Sequence, residues 1–149
     1  MALSDEYRRQ RNWRPWPEIF DSLPPLRGQV VLDLGCGVGD QAAALVDRGA
    51  RVIGLDGNED LVEVARSRGL PRADFHVADL HALPELGVAV DGIWCSFAAA
   101  YLPDLAPVLA LWASALKPGG WIALTELDDL FGHDPVSATT RASLGSYVR

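Results

Sequence analysis

Short apolar runs alternate along this chain with segments in which apolar residues recur at helical spacing. The runs are rich in Val, Ile and Leu and are bounded by glycine or charge, which is typical of strands buried in a parallel sheet. They cover residues 29–35, 50–56, 73–80, 91–98 and 121–127. Helices are predicted between them over residues 40–48, 58–69 and 105–116. Asn58 is expected to cap the second of these helices, and Gly69 to end it.

Strands that alternate with helices of about ten residues predict an α/β fold. We expect a Rossmann-like, doubly wound parallel sheet of about five strands over residues 28–149, preceded by a helical entry segment over residues 1–27. Pro15 and Pro17 are expected to break the entry helix, and residues 134–149 are expected to be helical. Ligands of such sheets bind beyond the carboxyl ends of the strands. Polar or small residues stand at those ends, namely residues 33–39, Asp56, Asp79, residues 95–96 and Glu126.

The composition limits the classes of function to consider. The chain has 149 residues, 49% hydrophobic and 22% charged, which suits one domain with one core. Its apolar runs are too short to span a membrane, and its charged start lacks a secretory apolar core. Two cysteines are too few for a disulfide scaffold, so a cytoplasmic location is the default prediction. A net charge of −7 disfavours nucleic-acid binding, and the three histidines and two cysteines show no metal-ligand spacing.

Three glycines, Gly35, Gly37 and Gly39, follow the first predicted strand in the stretch VVLDLGCGVGD. A strand that turns at once into a helix reverses tightly, and glycine permits the positive φ angles that this requires. The spacing departs from the dinucleotide fingerprint, because the third glycine comes one residue early and Asp40 takes its place. Asp40 would face a pyrophosphate unfavourably. Together with Asp33, it suits a ligand that carries a cationic group and no phosphate.

Asp56 ends the second predicted strand, about twenty positions after Gly35. A carboxylate at this place can accept hydrogen bonds from both hydroxyls of a ribose, and it would repel a 2′-phosphate. The alternative is that Asp56 simply caps the helix that follows. Taken with the glycine loop, the ligand-binding interpretation is favoured.

Five stretches stand along the chain in an order known from one protein family. They are DLGCGVG at residues 33–39, GLD at 54–56, ADL at 78–80, DGIWCS at 91–96 and LKPGGW at 116–121. In this order they resemble the motifs of the class I S-adenosylmethionine-dependent methyltransferases. The resemblance extends from about residue 28 to residue 131, which is most of the chain.

The resemblance implies S-adenosylmethionine as the cofactor and a small molecule as the methyl acceptor. It implies that the glycines lie against the methionine part of the cofactor, whose amino group Asp33 binds, often through water. It also implies that Asp56 binds the ribose, that Asp79 binds the adenine amino group, and that Leu80 offers a backbone N–H. The full set of implied cofactor-binding residues is Asp33, Gly35, Cys36, Gly37, Gly39, Asp56, Gly57, Asn58, Asp79, Leu80 and Ser96.

The acceptor side departs from the family pattern. Many small-molecule members carry a pair of histidines after the fourth strand, where this chain has Ala99 and Ala100. Tyr101 is a catalytic candidate that either hydrogen-bonds the acceptor or packs on the cofactor. His133 is a second candidate, which either contacts the acceptor or lies in a surface loop. No asparagine-proline-proline-tyrosine type motif stands at residues 96–99, which disfavours methylation of adenine or glutamine.

Two further segments border the expected site. Trp13, Arg14 and Trp16 either cover the cofactor as a lid or pack the entry helix on the sheet. The residues after 127 suffice for one helix but not for the antiparallel hairpin that completes the family's seven-stranded sheet. The fifth strand is therefore expected to be an exposed edge that a second copy, a partner chain or the terminal helix covers.

Three functions follow from these observations. The first is methyl transfer from S-adenosylmethionine to a small molecule. The second is a non-catalytic cofactor-binding module or a fragment of an enzyme, which the missing hairpin favours. The third is an NAD-dependent dehydrogenase, which the glycine spacing and Asp40 disfavour.

Overall fold

A five-stranded parallel sheet forms the centre of the fold in the computed structural model, which describes residues 15–83 and 87–126. Its strands are β1 (Val30–Leu34), β2 (Arg51–Asp56), β3 (Ala73–Val77), β4 (Val90–Ser96) and β5 (Leu116–Thr125). The helices of the described residues are α1 (Trp16–Asp21), α2 (Asp40–Asp47), α3 (Glu59–Ser67), the 3₁₀ helix η1 (Ala99–Tyr101) and α4 (Leu105–Ser114). Strands and helices thus alternate as the hydrophobic pattern predicts, except between β3 and β4, where the described residues contain no helix.

The strand order is β3-β2-β1-β4-β5, and every neighbouring pair is parallel. The order reverses at β1, because the chain builds β2 and β3 on one side of it and β4 and β5 on the other. Helices cover both faces: α1, α2 and α3 contribute to one apolar cluster and α4 to the other. The predicted Rossmann-like, doubly wound α/β fold with five strands is confirmed.

Each face of the sheet has its own core, because alternate side chains of a strand point to opposite faces. From β1, Val31 lies in the cluster beneath α1, α2 and α3, whereas Leu32 lies in the cluster beneath α4. Trp94 of β4 is fully buried in the first cluster and stacks on Phe20 with 4.8 Å between the ring centroids. Trp112 of α4 is fully buried in the second cluster. Each indole thus packs between the sheet and the helices on one of its two faces.

The ends of α3 agree with the sequence prediction. The Asn58 side chain accepts a hydrogen bond from the Leu61 N–H over 3.2 Å, so Asn58 is the N-cap. Gly69 follows the last residues of the helix with a φ of +59°, the left-handed conformation in which glycine ends helices.

Two local predictions were wrong. Pro17 does not break the entry helix but lies in the first turn of α1, where the missing N–H of proline removes no helical hydrogen bond. The fifth strand begins at Leu116 rather than at residue 121, because a shift in its pairing with β4 between Val90 and Gly92 accommodates the intervening residues. The predicted helical segments 4–14 and 134–149 lie outside the described residues.

Strand β5 forms one edge of the sheet within the described residues, and β3 forms the other. What covers β5 stays a prediction, because residues 127–149 lie outside the described part of the chain. None of the helices within residues 15–83 and 87–126 has the length and apolar character needed to cross a membrane.

Candidate functional site

A cavity of about 770 Å³ opens at the carboxyl ends of the strands, next to the point where the strand order reverses. Open α/β sheets bind their ligands at such a switch point, and the volume is in the usual range for small-molecule sites. The described residues that line it are Trp16, residues 35–38, Asp40, Gln41, residues 56–58, Leu61, residues 77–81, residues 96–98, Tyr101 and Leu102. The segments after β1, β2, β3 and β4 therefore all contribute to one site.

The glycine loop, residues 35–39, joins β1 to α2 and contributes one wall of the cavity. Gly35, Gly37 and Gly39 all have positive φ angles, of +74°, +51° and +78°. A Cβ at Gly35 would lie 2.3 Å from the Cβ of Ala98, so internal packing requires glycine there. A Cβ at Gly37 would meet no atom of the described residues within 4 Å. The space beside Gly37 is thus open for a ligand that approaches the backbone closely.

Asp56 connects the glycine loop to the start of α3. The Gly37 N–H donates to its Oδ2 over 2.8 Å, and the Asn58 N–H donates to its Oδ1 over 2.9 Å. Each carboxylate oxygen keeps a further lone pair that is able to accept a hydroxyl of a ligand. Because Asn58 is the N-cap of α3, the alternative in which Asp56 is simply the helix cap does not hold.

Asp33 is buried at the end of β1, with 1% of its surface exposed, and it does not line the cavity directly. Its Oδ2 has no hydrogen-bond partner among residues 15–83 and 87–126. Burial, with a smaller contribution from the charge of Asp56, raises the pKa of Asp33 to about 7. An unpaired buried carboxyl is costly, so such a group indicates a place that a bound water or ligand completes.

The segment after β3 contributes Asp79, Leu80 and His81. Asp79 Oδ1 accepts the backbone N–H of His81 and lies next to His81 Nδ1, each at 2.9 Å. These hydrogen bonds lower the pKa of Asp79, which therefore offers an ionised carboxylate to the cavity. The indole Nε1–H of Trp112 donates to the Leu80 carbonyl over 2.9 Å. The backbone of this wall is thereby fixed to α4.

The post-β4 turn, residues 96–102, lines the cavity from the other side of β1. Phe97 has a φ of +56°, which is unusual for a residue with a bulky side chain. Its ring meets Trp16 edge to face, with 6.2 Å between the centroids. Tyr101 is 80% exposed at the rim of the cavity. This wall is mostly apolar and aromatic, in contrast to the acidic walls after β2 and β3.

Negative charge dominates the described part of the cavity. Its charged side chains are Asp40, Asp56 and Asp79, with His81 as the titratable nitrogen, and no Lys or Arg lines it within the described residues. Arg68 reaches Asp40 from outside the cavity lining, with 2.8 Å between Nη1 and Oδ1. The site therefore suits a ligand that carries a cationic group, as the two acids near the glycine loop predict.

The two cysteines are unsuited to thiolate chemistry. Cys36 lines the cavity and Cys95 does not, and both are buried and free. Burial raises the pKa of the Cys36 thiol far above its usual range and that of Cys95 to about 12. Both therefore act as small packing residues.

All the implied cofactor-binding residues except Asp33 and Gly39 line the cavity. Gly39 instead lets α3 and β3 approach, since a Cβ there would lie 3.2 Å from both Ala65 and Phe75. Of the two catalytic candidates, Tyr101 lines the cavity and His133 lies outside the described residues. The cavity is also lined by residues that the implied contact set left out, namely Val38 and Ala78 from within the motifs, and Gln41, Leu61, Val77, His81, Phe97, Ala98 and Leu102. Most of these residues stand next to or within a motif in the sequence, and this proximity is the signal that could have identified them.

For Trp16 the structure shows the packing interpretation, whereas its role as a lid over the cofactor stays a prediction. It lines the cavity, and it is only 9% exposed because it packs in the core cluster beneath α1, α2 and α3. Trp13 and Arg14 lie outside the described residues. The entry helix is therefore joined to the site by one residue that also anchors it to the sheet.

A glycine loop after β1, an acid at the end of β2 and a cavity at the switch point define a protein that binds a nucleoside-type ligand. Residues 31–120 match a family model described as a methyltransferase domain. The chain is 33% identical to a ubiquinone biosynthesis O-methyltransferase from Paracidovorax citrulli in an alignment 131 residues long, which covers 80% of this chain and 55% of that protein.

Solved structures of methyltransferases also resemble this chain. An S-adenosylmethionine-dependent methyltransferase from Mesorhizobium loti superposes with a TM-score of 0.68 at 33% identity, over 74% of this chain and 53% of that one. A methyltransferase from Thiobacillus denitrificans in complex with S-adenosylhomocysteine has a TM-score of 0.64 at 27% identity, over 74% and 48% of the two chains.

This chain belongs to the class I S-adenosylmethionine-dependent methyltransferases. S-adenosylmethionine is the cofactor of that family, as the sequence motifs implied. Membership favours methyl transfer over the NAD-dependent dehydrogenase that the sequence also left open. The chain spans about half the length of the curated relatives it matches.

Proposed function

We propose that the cavity at the carboxyl ends of β1 to β4 binds S-adenosylmethionine, and that the protein transfers its methyl group to a small molecule. The observation that carries the proposal is the pairing of Asp56 with the glycine loop. It places a carboxylate with spare lone pairs beside the open backbone at Gly37. A ribose and an amino-acid group, joined in one ligand, fit these two neighbouring features.

The residues fit the cofactor at both of its ends. Asp33 offers a buried, unpaired carboxyl oxygen near the glycine loop, which suits the ammonium of the methionine part. Asp56 would accept the ribose hydroxyls. Asp79 and the backbone of Leu80 would bind the adenine, on a wall that Trp112 holds in place. The remaining proposed contacts come from Gly35, Cys36, Gly37, Gly57, Asn58 and Ser96, which line the cavity, and from Gly39 in the glycine loop.

When bound, the cofactor supplies an electrophilic methyl group on a sulfonium. The chain's own part is then to hold the acceptor in line with that methyl group and to exclude water. Trp16, Phe97 and Tyr101 provide an aromatic wall suited to both tasks. We assign Tyr101 to contact with the acceptor because its exposed ring stands at the rim of the cavity. A general base is optional and depends on the acidity of the acceptor.

The proposed acceptor is small and not a nucleic acid. The described cavity carries carboxylates and no Lys or Arg, so nothing in this part of the chain would neutralise phosphates. The post-β4 turn presents aromatic and aliphatic side chains to the cavity, which favours an acceptor with an apolar body.

A second candidate function is cofactor binding without transfer. It is favoured by the acceptor side, where Ala99 and Ala100 replace the histidines of many small-molecule members. Among the described residues that line the cavity, His81 is the one imidazole, and it is engaged with Asp79. No imidazole of this part of the chain is thus placed after β4.

The test is transfer of an isotope-labelled methyl group from S-adenosylmethionine to a panel of phenols, carboxylic acids and amines. Labelled product that S-adenosylhomocysteine suppresses, and that is lost in Asp56→Ala but kept in Asp60→Ala, is the expected result. Asp60 is a suitable control because it is an exposed aspartate in the first turn of α3. Binding of S-adenosylhomocysteine without transfer to any acceptor would favour the second candidate.

Two further parts of the proposal concern the location of the protein and its association with a second copy. We propose a cytoplasmic location, supported by two cysteines that are both free and buried. We also propose that two copies of the chain associate through the β5 edge, supported by the position of β5 at the end of the described sheet.

A further inference from the structure

The post-β4 turn (residues 96–102) is held by contacts that the cofactor site does not explain. Phe97 adopts a left-handed φ of +56°, which persists in a bulky residue only when the surroundings impose it. The Phe97 N–H donates to the Thr125 carbonyl over 2.9 Å, and the Thr125 hydroxyl donates to that of Ser96 over 2.8 Å. The end of β5 therefore fixes the first part of the turn.

Glu126 fixes the second part. Its Oε1 accepts the backbone N–H of Ala99 over 2.9 Å and that of Ala100 over 3.3 Å. These N–H groups begin η1, where helical backbone donors have no partner within the helix. Hydrogen bonds from N–H groups to an ionised carboxylate are stronger than neutral ones. An exposed side chain that directly follows β5 thus accepts the N–H groups at the start of η1.

The turn delivers side chains to the site, whereas Glu126 does not line the cavity. Tyr101 and Leu102 follow the two N–H groups that Glu126 binds, and both line the cavity. Their own N–H groups donate within the turn, to Ala98 over 3.2 Å and to Ala99 over 3.0 Å. Glu126 therefore holds the two N–H groups that directly precede the wall-forming residues Tyr101 and Leu102 in the chain.

We infer that Glu126 is a positioning residue that holds the post-β4 turn, and with it Tyr101, as the acceptor-side wall of the cavity. The assignment of this wall to the acceptor rests on the proposed function, but the holding of the turn does not. Glu126 lies outside residues 31–120, the segment that matches the family model.

The test is backbone amide hydrogen exchange, measured by NMR on the ligand-free chain and on Glu126→Ala, Glu126→Gln and Glu63→Ala. In Glu126→Ala we expect the amides of Ala99, Ala100, Tyr101 and Leu102 to exchange about tenfold faster or more. Glu126→Gln keeps the accepting oxygen and is expected to restore protection. Glu63 is an exposed glutamate of α3 with an ion pair to Arg66, so its removal is expected to leave the turn unchanged.

Two results of the exchange measurement would overturn the inference. One is faster exchange confined to Ala99 and Ala100, which would show that Glu126 protects its two partners without holding the turn. The other is a glutamine variant that exchanges as fast as the alanine variant. Thermal unfolding is measured in parallel and is expected to shift by no more than about 2 °C, because Glu126 is exposed.

A titration with S-adenosylhomocysteine tests the assignment to the acceptor side. Its affinity for Glu126→Ala is expected to stay within about threefold of wild type, because Ser96 is the turn's one proposed cofactor contact and Thr125, not Glu126, binds it. A loss as large as that in Asp56→Ala would instead assign Glu126 to the cofactor site and overturn this part. If the wild-type chain does not bind the probe, the proposed function fails, while the ligand-free exchange measurement still decides what Glu126 does.

Discussion

Asp56 carries the strongest single link between sequence and site. Its two oxygens accept the Gly37 and Asn58 N–H groups at 2.8 Å and 2.9 Å, so it both shapes the glycine loop and faces the cavity. We predict that Asp56→Ala weakens binding of S-adenosylhomocysteine roughly ten- to hundredfold, the scale of lost hydrogen bonds to a charged group. Calorimetric titration measures this effect. The same titration of Asp60→Ala is the control, and an unchanged affinity in Asp56→Ala would remove Asp56 from the ribose site.

Asp33 is expected to make stability depend on pH. The carboxyl releases its proton near pH 7 in the folded chain but near its ordinary value of 3.8 when unfolded. Between these values the folded state holds the extra proton, so the free energy of unfolding contributed by Asp33 falls as the pH rises through this window. Asp33→Asn, which cannot ionise, should therefore become more stable relative to wild type by roughly 1–4 kcal/mol from about pH 4 to about pH 8.

Urea unfolding of wild type and Asp33→Asn across this pH range isolates the effect from that of the other carboxyl groups. A difference in unfolding free energy that stays constant with pH would show that Asp33 is ionised throughout. It would then also have an ionic or hydrogen-bonding partner that the structure does not show.

At the scale of elements, the glycine loop offers a matched pair of variants. Gly37 and Gly69 both have positive φ angles, of +51° and +59°, and a Cβ at either would have no atom of the described part of the chain within 4 Å. Alanine at either position carries a similar backbone strain, of about 1 kcal/mol. Only Gly37 lines the cavity, so only Gly37→Ala should weaken binding of S-adenosylhomocysteine, by roughly tenfold or more.

Thermal unfolding and titration of both variants test this prediction. The two are expected to lose similar stability and to differ in affinity. Equal affinities would show that no ligand approaches the backbone at Gly37, and the space beside it would then need another explanation.

The sequence predicts the elements well because their apolar runs are short and clearly bounded. The β1–α2 and β2–α3 units follow directly from residues 29–69, including the Asn58 cap. The start of β5 could not be predicted, because residues 117–120 have the composition of a turn, and only the pairing of Leu116 and Trp121 on either side of them with β4 makes the segment part of a strand. Likewise, the place of Pro17 in α1 depends on packing of Trp16 and Phe20 that no local pattern reveals.

The site was predictable to a similar extent and for similar reasons. Motif residues at strand ends, such as Asp56 and Asp79, line the cavity because parallel strands bring their carboxyl ends together. Phe97 and Glu126 were not assigned roles, since those roles arise between β4 and β5, segments distant in the chain. Asp33 was expected at the ligand but is buried beside it, which the residue type does not indicate.

At the scale of the whole molecule, the prediction concerns what pairs with the outer edge of the fifth strand. Within the described residues β5 is an edge of the sheet, a position that offers backbone groups for pairing, and Leu124 on it is 39% exposed. We predict that the chain self-associates through this edge, and that Leu124→Lys shifts it to the monomer because charge on an edge strand opposes pairing. Sedimentation velocity measures the oligomeric state.

Val88→Lys is the control for that experiment, because Val88 is 46% exposed and lies between β3 and β4 rather than on the edge. Self-association that persists in Val88→Lys and is lost in Leu124→Lys is the expected result. A wild-type chain that sediments as a monomer would contradict pairing through β5.

The central claim is that the cavity binds S-adenosylmethionine, and one measurement tests it most directly. The chain is titrated calorimetrically with S-adenosylmethionine, S-adenosylhomocysteine and NAD. We predict that both sulfur compounds bind at one site per chain and that NAD does not, because the described cavity offers carboxylates and no Lys or Arg to a pyrophosphate. Binding of NAD, or no binding of either sulfur compound, would contradict the assignment of this cavity.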